Sequence, residues 1–205
     1  MIHVVSADNR HAYQSEMLEH FRIRHDVYVG ERKWTNLARP DGLERDQFDN
    51  DDAVYLLAID NGHVVGGSRF VPTLKPHLLS EVYPHLIHGE LPRAPDIWEW
   101  TRVFVVKSRR EGRNGGRIAG QVYCGIAEFC LRNGISALTV LIEMWWFPIF
   151  QEIGWPLRPL GLPELLDNEW AVPVIMPMAE SVLASTRAFY GIDGSVLVEA
   201  EMAVQ

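Results

Sequence analysis

The spacing of apolar and polar positions divides the chain into a β-rich first half and a second half in which helices and strands alternate. Two apolar runs, residues 53–60 and 63–71, are separated by Asn61-Gly62, a dipeptide that tolerates the positive φ angles of a tight turn. The pattern predicts a β-hairpin there. Ahead of it, residues 10–31 carry apolar side chains at near-helical spacing, which predicts one bent helix or two short ones.

The remaining elements follow from the same patterns. A short helix is expected near residues 78–82, and PDIWEWTRVFVV, residues 95–106, is typical of a buried strand. Further helices are predicted at 115–133, 144–153 and 179–190, and further strands at 135–142 and 171–178. Strands that alternate with helices behind an antiparallel start indicate an α/β fold, a mixed sheet with helices on its faces. We expect one domain spanning residues 1–205.

Composition narrows the function classes. The formal net charge of −8 argues against a surface that binds nucleic acid or an anionic membrane. The first residues lack the pattern of a signal peptide, and no stretch reaches the roughly 18 apolar residues of a membrane span. We therefore expect a cytoplasmic protein. Neither the 2 cysteines nor the 8 histidines are spaced like metal ligands, so no metal site is expected.

Several ionisable residues lie inside or beside apolar runs in the first half of the chain. They are Arg24, Asp46, Asp49, Arg69, Glu99 and Arg102. A buried charge costs several kcal/mol unless it is paired, so these residues form either a structural ion-pair network or a site for a charged ligand. The number of such residues favours a site.

The two charges in the strand at 95–106 present a geometric problem. Strand alternation places Glu99 and Thr101 on one face and Arg102 and Phe104 on the other. Glu99 and Arg102 can serve one pocket only if a β-bulge shifts the alternation, or if they lie on opposite walls of a cleft.

Aromatic and basic residues add two further candidates. Trp34, in a turn-like segment after the first helix, can hold a ligand cation or simply pack in a surface loop. The aromatic residues from Trp145 to Trp155 can wall an apolar pocket, although ordinary core packing is the more common role. The basic segment 107–117 contains glycines and precedes a helix, a combination that can bind phosphate groups or be a solvated loop.

Four separated motifs resemble the acyl-homoserine lactone synthases, the LuxI-type enzymes that make quorum-sensing signals. They are FRIRHDVYVGERKW (21–34), ERDQFDNDDAVYLL (44–57), GGSRFVPT (66–73) and WEWTRVFVV (98–106). The family's shared positions fall on Arg24, Tyr28, Trp34, Asp46, Asp49, Arg69, Glu99, Thr101 and Arg102. Residues 139–163 are similar to the subgroup that uses branched-chain or aryl acyl groups.

The resemblance implies a GNAT-like acyltransferase fold, a mixed twisted sheet with helices on both faces. It also implies a cleft in which S-adenosylmethionine and an acyl thioester react without a prosthetic group. The methionyl amine attacks the thioester, and the methionyl carboxylate then displaces methylthioadenosine to close the lactone. We expect the donor to be a short branched acyl-CoA such as isovaleryl-CoA, with aryl-CoA or acyl carrier protein as alternatives. The product is expected to act on a separate transcriptional receptor. A generic GNAT N-acyltransferase is the alternative activity.

The same resemblance assigns provisional roles. Glu99 is the expected base for the amine, directly or through one water. Thr101 would orient water or the thioester carbonyl, and backbone N–H groups near a bulge at 103–105, including those of Phe104 and Val105, would stabilise the oxyanion. Asp46 and Asp49 are expected to bind cationic groups or to fold an N-terminal lid. Other expected binding residues are Arg24, Arg69 and Arg102 for carboxylate recognition and lid pairing, Tyr28 and Trp34 for S-adenosylmethionine, Trp145 for limiting the acyl pocket, and Arg109, Arg110, Arg113 and Arg117 for phosphates.

Overall fold

An eight-stranded sheet organises the residues that the computed structural model describes, 1–112 and 114–198. The strands are β1 (Ile2–Val5), β2 (Val54–Asp60), β3 (His63–Pro72), β4 (Ile97–Val105), β5 (Ala137–Glu143), β6 (Arg158–Pro159), β7 (Glu164–Leu166) and β8 (Glu169–Pro177). Their order is β1-β2-β3-β4-β5-β8-β6, and β7 pairs with β8. The β4–β5 pair is parallel and the others are antiparallel, so the predicted mixed sheet is confirmed.

Helices cover both faces of this sheet. They are α1 (Gln14–His25), α2 (Leu78–Glu81), α3 (Gly116–Arg132), α4 (Trp146–Glu152) and α5 (Glu180–Tyr190). A π-helical turn, Asp26–Glu31, continues α1, so the predicted segment is one helix with a distorted end. The main core lies between the sheet and helices α3, α4 and α5, whereas α1 packs through two smaller clusters on the other face. None of the helices within 1–112 and 114–198 combines the length and apolar character needed to cross a membrane.

The hairpin predicted from Asn61-Gly62 is confirmed. Asn61 has φ 51° and Gly62 has φ 80°, the positive angles that a two-residue turn requires. Strands β1, β6 and β7 were not predicted, because segments of 4, 2 and 3 residues are too short to show an alternation. Strand β1 is nevertheless anchored, since Ile2 and Val5 are fully buried.

A fork in the sheet opens a cavity. Strands β4 and β5 pair only where Ile97–Glu99 faces Ala137–Thr139. Beyond that point β5 stays paired with β8 as far as Glu143, while β4 stays paired with β3. The two central strands therefore separate, and the space between them is lined by residues of both.

Candidate active site

A β-bulge in β4 brings its charged residues to one face. Gly67 pairs with Phe104 and Arg69 pairs with Thr101, so β4 has one more residue than β3 in this interval. Arg102 takes up the extra length with φ 58°, a left-handed conformation that a non-glycine residue adopts at some cost. The bulge turns Arg102 to the side of Glu99 and Thr101, so of the two possibilities left open by the sequence the structure contains the shift of alternation.

Six buried or nearly buried charges form one network on this face, which we call the buried charge network. Its members are Arg24, Glu44, Asp46, Asp49, Arg69 and Arg102. Arg24 donates to Glu44 Oε2 at 2.5 Å and to both carboxylate oxygens of Asp49, at 2.7 and 3.0 Å. Three guanidinium groups are thus matched by three carboxylates, so every charge of the network has a partner within it.

Asp46 joins the other two arginines of the network. Arg69 donates to its carboxylate at 2.5 and 3.0 Å, and Arg102 Nη2 donates to Oδ2 at 3.0 Å. Arg102 also donates to Glu44 at 3.1 to 3.2 Å, and Arg69 Nε donates to Thr101 Oγ1 at 3.1 Å. Strand β4 is thereby tied to the loop that carries the acids.

The network holds two of its carboxylates, Glu44 and Asp49, ionised. Burial alone would raise the pKa of Glu44, but the Arg102 and Arg24 guanidinium groups lower it to about 2. Burial likewise opposes ionisation of Asp49, and Arg24 and Arg69 hold its pKa well below the usual range. Side-chain exposure separates the members. Arg24 and Arg69 are 0% exposed, whereas Arg102 and Asp46 reach 10% and 13%.

Glu99 lies outside this network and is bound to the backbone of α2. Leu78 N–H donates to Oε2 and Leu79 N–H donates to Oε1, each at 2.8 Å. Burial raises the pKa of Glu99 to about 7, against the effect of these two hydrogen bonds. In the β5 register Glu99 faces Thr139, whose buried Oγ1 has no hydrogen-bond partner among the described residues. A carboxyl group that titrates near neutral pH is suited to accept a proton.

The cavity at the fork has a volume of about 410 Å³ and two unlike sides. Its charged and aromatic side includes Tyr28, Arg32, Trp34, Asp46, Thr101, Arg102 and Glu143. Its apolar side, which we call the apolar wall, includes Trp100, Val140, Ile142, Trp146 and Phe150. The lining leaves out Glu99, Arg24, Arg69 and Asp49, which lie behind it at 0 to 2% side-chain or residue exposure.

Three further expected site residues, Trp145, Phe104 and Val105, are also absent from the lining. Trp145 is 46% exposed and stacks on Trp146, and it is Trp146 that faces the cavity. Phe104 is buried against the α1 side, and the carbonyl of Val105 accepts a hydrogen bond from Arg110. Val103 lines the cavity instead, because the bulge lies between Thr101 and Phe104 rather than at 103–105.

Tyr28 and Trp34 are brought together as a stacked pair. Their ring centroids are 5.2 Å apart, and both rings line the cavity. The Tyr28 hydroxyl donates to the carbonyl of Val103 at 2.9 Å, which ties the α1 side to the bulge. Of the residues predicted from the sequence, these two therefore contribute an aromatic surface directly at the cleft.

Two of the predicted phosphate-binding residues form surface ion pairs. Arg109 donates to Asp60 and Arg110 donates to Glu31, each at 2.5 Å, and these groups are about a third to nearly a half exposed. Arg117 is exposed in the first turn of α3. Arg113 lies outside the described residues.

Sequence reasoning missed three charged residues. Glu44 binds both Arg24 and Arg102. The expected set, with Glu99, already held three acids against three arginines, so charge balance gave no signal for a further acid. Arg32 and Glu143 form an ion pair that joins residues 111 positions apart, and no sequence pattern indicates such a contact.

Comparison with known proteins shows which families this chain is similar to. The family model "Autoinducer synthase" matches residues 8–185. An isovaleryl-homoserine lactone synthase from Bradyrhizobium diazoefficiens is 46% identical over 185 residues, which is 89% of this chain and 82% of that protein. The solved structure of BjaI, a CoA-dependent acyl-homoserine lactone synthase, superposes with a TM-score of 0.91 at 43% identity, covering 98% of this chain and 93% of BjaI.

A more distant likeness concerns the fold alone. A Lactobacillus plantarum protein assigned as an N-acetyltransferase superposes with a TM-score of 0.57 at 18% identity, covering 87% of this chain and 99% of that protein. The sheet with a central fork is therefore the GNAT-like fold that the sequence predicted. By the match of the family model and the identity to curated members, the chain belongs to the autoinducer synthase family, the acyl-homoserine-lactone synthases.

Proposed function

We propose that this protein joins S-adenosylmethionine to a short branched acyl group carried by coenzyme A. The products are an N-acyl-L-homoserine lactone, methylthioadenosine and free coenzyme A. The observation that carries the proposal is the cavity at the fork, since one side presents charges and aromatic rings and the other is apolar. A zwitterionic cation and an acyl chain need such unlike surfaces next to each other.

The reaction consists of two bond exchanges. The methionyl amine, after losing a proton, attacks the thioester carbon; the new C–N bond forms, the C–S bond breaks, and the coenzyme A thiolate takes up a proton. The methionyl carboxylate then attacks its own Cγ, and the bond to the sulfonium sulfur breaks to release neutral methylthioadenosine. No redox partner is needed. We assign the amine proton to Glu99, through one water, because Glu99 lies behind the cavity lining.

Other residues bind and orient the substrates. Arg102 and Asp46 are the members of the buried charge network that reach the cavity, so they are the candidates for contact with the methionyl carboxylate and ammonium. Trp34 and Tyr28 offer an aromatic surface for the adenine or the sulfonium. Arg24, Arg69 and Asp49 act as the framework that fixes Arg102 and Asp46 in position.

The size of the cavity and the family relationship both support a short branched acyl chain. The bulky side chains of Trp146, Phe150 and Trp100 narrow the cavity along its apolar wall. They leave little room for a long acyl chain. BjaI has been solved with S-adenosylmethionine and isopentyl-CoA, and also with methylthioadenosine. The exposed arginines Arg109, Arg110 and Arg117 are available to the phosphates of coenzyme A. We propose that the enzyme acts in the cytoplasm and that its product binds a separate transcriptional receptor.

A thioester panel tests the proposal. Isovaleryl, cinnamoyl and acetyl groups, each on coenzyme A and on acyl carrier protein, would be incubated with S-adenosylmethionine, and lactone and methylthioadenosine would be quantified by mass spectrometry. The expected result is the fastest turnover with isovaleryl-CoA and equal yields of the two products. Faster turnover with carrier-linked acyl groups would contradict the donor assignment, and acyl transfer without methylthioadenosine would indicate a generic N-acyltransferase.

A further inference from the structure

An ion pair in the cavity lining joins Arg32, which follows the π-helical turn, to Glu143, the last residue of β5. Arg32 Nη1 donates to Glu143 Oε1. Both side chains line the cavity, with exposures of 24% and 12%. The pair is therefore part of the cavity lining, whereas most of the buried charge network lies behind it.

The Arg32 guanidinium lies among three aromatic rings. Its Cζ atom is 5.5 Å from the Tyr28 ring centroid, 5.4 Å from Trp34 and 5.7 Å from Trp145. Aromatic rings within about 6 Å of a cation stabilise it through the negative potential of their faces. Together with the Glu143 carboxylate they make a position that is suited to a positive charge, and the chain's own Arg32 occupies it.

Glu143 differs from the other acids of the site in how it is paired. Glu44 accepts hydrogen bonds from two guanidinium groups, whereas Arg32 is the sole hydrogen-bond partner of the Glu143 side chain among residues 1–112 and 114–198. Leu138, Val140 and Ile142 of β5 belong to the main core, so alternation puts Glu143 on the opposite side of β5, as it does Thr139. Arg102 reaches the same cavity from β4.

We propose that Glu143 binds a cationic group of S-adenosylmethionine and that Arg32 occupies this position until the substrate arrives. The inference rests on the proposed function, because the ligand is the substrate named there. S-adenosylmethionine carries a sulfonium and an ammonium, and either can replace the guanidinium in the charge balance of Glu143. Arg32, already partly exposed, then turns to solvent. Glu143 is thus a substrate-binding residue and Arg32 its internal competitor.

Binding measurements on two variants test the exchange. Glu143→Gln removes the proposed ligand, Arg32→Met removes the competitor while keeping an apolar stem, and Glu90→Gln is the control at an exposed glutamate. Affinities for S-adenosylmethionine and for methylthioadenosine, which has neither cationic group, would be measured by calorimetry. We expect Glu143→Gln to weaken S-adenosylmethionine about tenfold, the loss of one charge-assisted contact, and to leave methylthioadenosine within about twofold. Arg32→Met should bind S-adenosylmethionine at least as tightly as the parent.

The other outcomes each contradict a different part of the proposal. If both variants weaken both ligands alike, the pair only holds the walls together and the exchange is overturned. If Glu143→Gln leaves both affinities unchanged, Glu143 has no role in binding. Should Glu143→Gln fail to fold, Arg32→Met still decides, because weaker binding of S-adenosylmethionine alone contradicts the competition. A parent protein that binds neither ligand overturns the proposed function instead.

Discussion

The two sides of the cavity are held in place by different kinds of interaction. The buried charge network fixes the positions of three guanidinium groups and three carboxylates through directional hydrogen bonds of 2.5 to 3.2 Å. The apolar wall is part of the main hydrophobic core, where Trp100, Trp146 and Phe150 are held by packing. One side therefore fixes orientation, and the other fixes volume.

This difference predicts unequal tolerance to substitution. Removing one member of a buried ion network leaves its partner charged and unpaired in a region of low dielectric constant, which is costly. A packed apolar wall accepts a change of shape more cheaply, as long as the volume is roughly kept. We expect a substitution in the network to reduce stability or turnover broadly, and a substitution in the wall to change which acyl chain fits.

The largest effect is expected from Arg24→Met. Glu44 and Asp49 would each lose a guanidinium partner while remaining buried, which is expected to cost about 3 to 5 kcal/mol of the free energy of unfolding. Urea unfolding followed by tryptophan fluorescence measures this change in the free energy of unfolding. Arg45→Met is the matched control, because Arg45 pairs with Asp41 where both side chains are nearly half exposed, and about 0 to 1 kcal/mol is expected. Equal losses in the two variants would show that the network contributes no more than a surface pair.

The next effect concerns turnover. Glu99→Gln keeps the size of the side chain but cannot accept the amine proton, so turnover should fall by about 10² while methylthioadenosine still binds. In the parent, kcat/KM should decline as the pH falls below about 7, because Glu99 becomes protonated there. A variant as active as the parent would remove Glu99 from the role of base.

The same variant gives an independent pH test through stability. The folded protein keeps the Glu99 proton up to about pH 7, whereas the unfolded chain releases it near its ordinary pKa of 4.5. The contribution of this group to stability is therefore fully present below about pH 4.5 and is lost as the pH rises through 7. Glu99→Gln should lack this loss, so its melting temperature relative to the parent should rise between pH 5 and roughly 8. A constant difference across that range would contradict the raised pKa.

The contrast between the two sides also explains what could be predicted from the sequence. Charges inside apolar runs are conspicuous, so most of the buried charge network was identified, and the clash of alternation between Glu99 and Arg102 indicated the bulge. Glu44 was missed because it lies in a loop where an acid is unremarkable. The sequence gives no local signal of which arginine reaches the cavity and which lies behind its lining, because this depends on the fold.

Apolar residues give far less information. Trp145 and Trp146 are neighbours, and nothing in the sequence distinguishes the exposed ring from the one that lines the cavity. Which of the two rings faces the cavity depends on where α4 begins after the turn that follows β5. The hairpin and the longer helices were predictable because turn chemistry and helical periodicity are local, whereas the fork between β4 and β5 is a property of the whole sheet.

A smaller effect, confined to selectivity, is expected from Trp146→Ala. Removing this ring from the apolar wall should admit longer acyl chains and shift the ratio of kcat/KM values, octanoyl-CoA over isovaleryl-CoA, by about tenfold. Trp145→Ala is the matched control, because that ring is 46% exposed and outside the cavity lining. If Trp145→Ala shifts the ratio as much as Trp146→Ala, the outer ring also limits the pocket.

The smallest effect is expected at the solvated basic segment. Arg117 is exposed in the first turn of α3, so a contact with a coenzyme A phosphate would be screened by water and worth at most about 1 kcal/mol. Arg117→Gln should therefore raise the KM for isovaleryl-CoA by up to about fivefold with kcat unchanged, and the increase should shrink at high salt. Arg132→Gln, at the opposite end of the same helix, should leave KM unaltered. A loss of kcat in Arg117→Gln would mean that this segment acts on the chemistry as the buried charge network does, and the contrast between fixed and solvated charges would not hold.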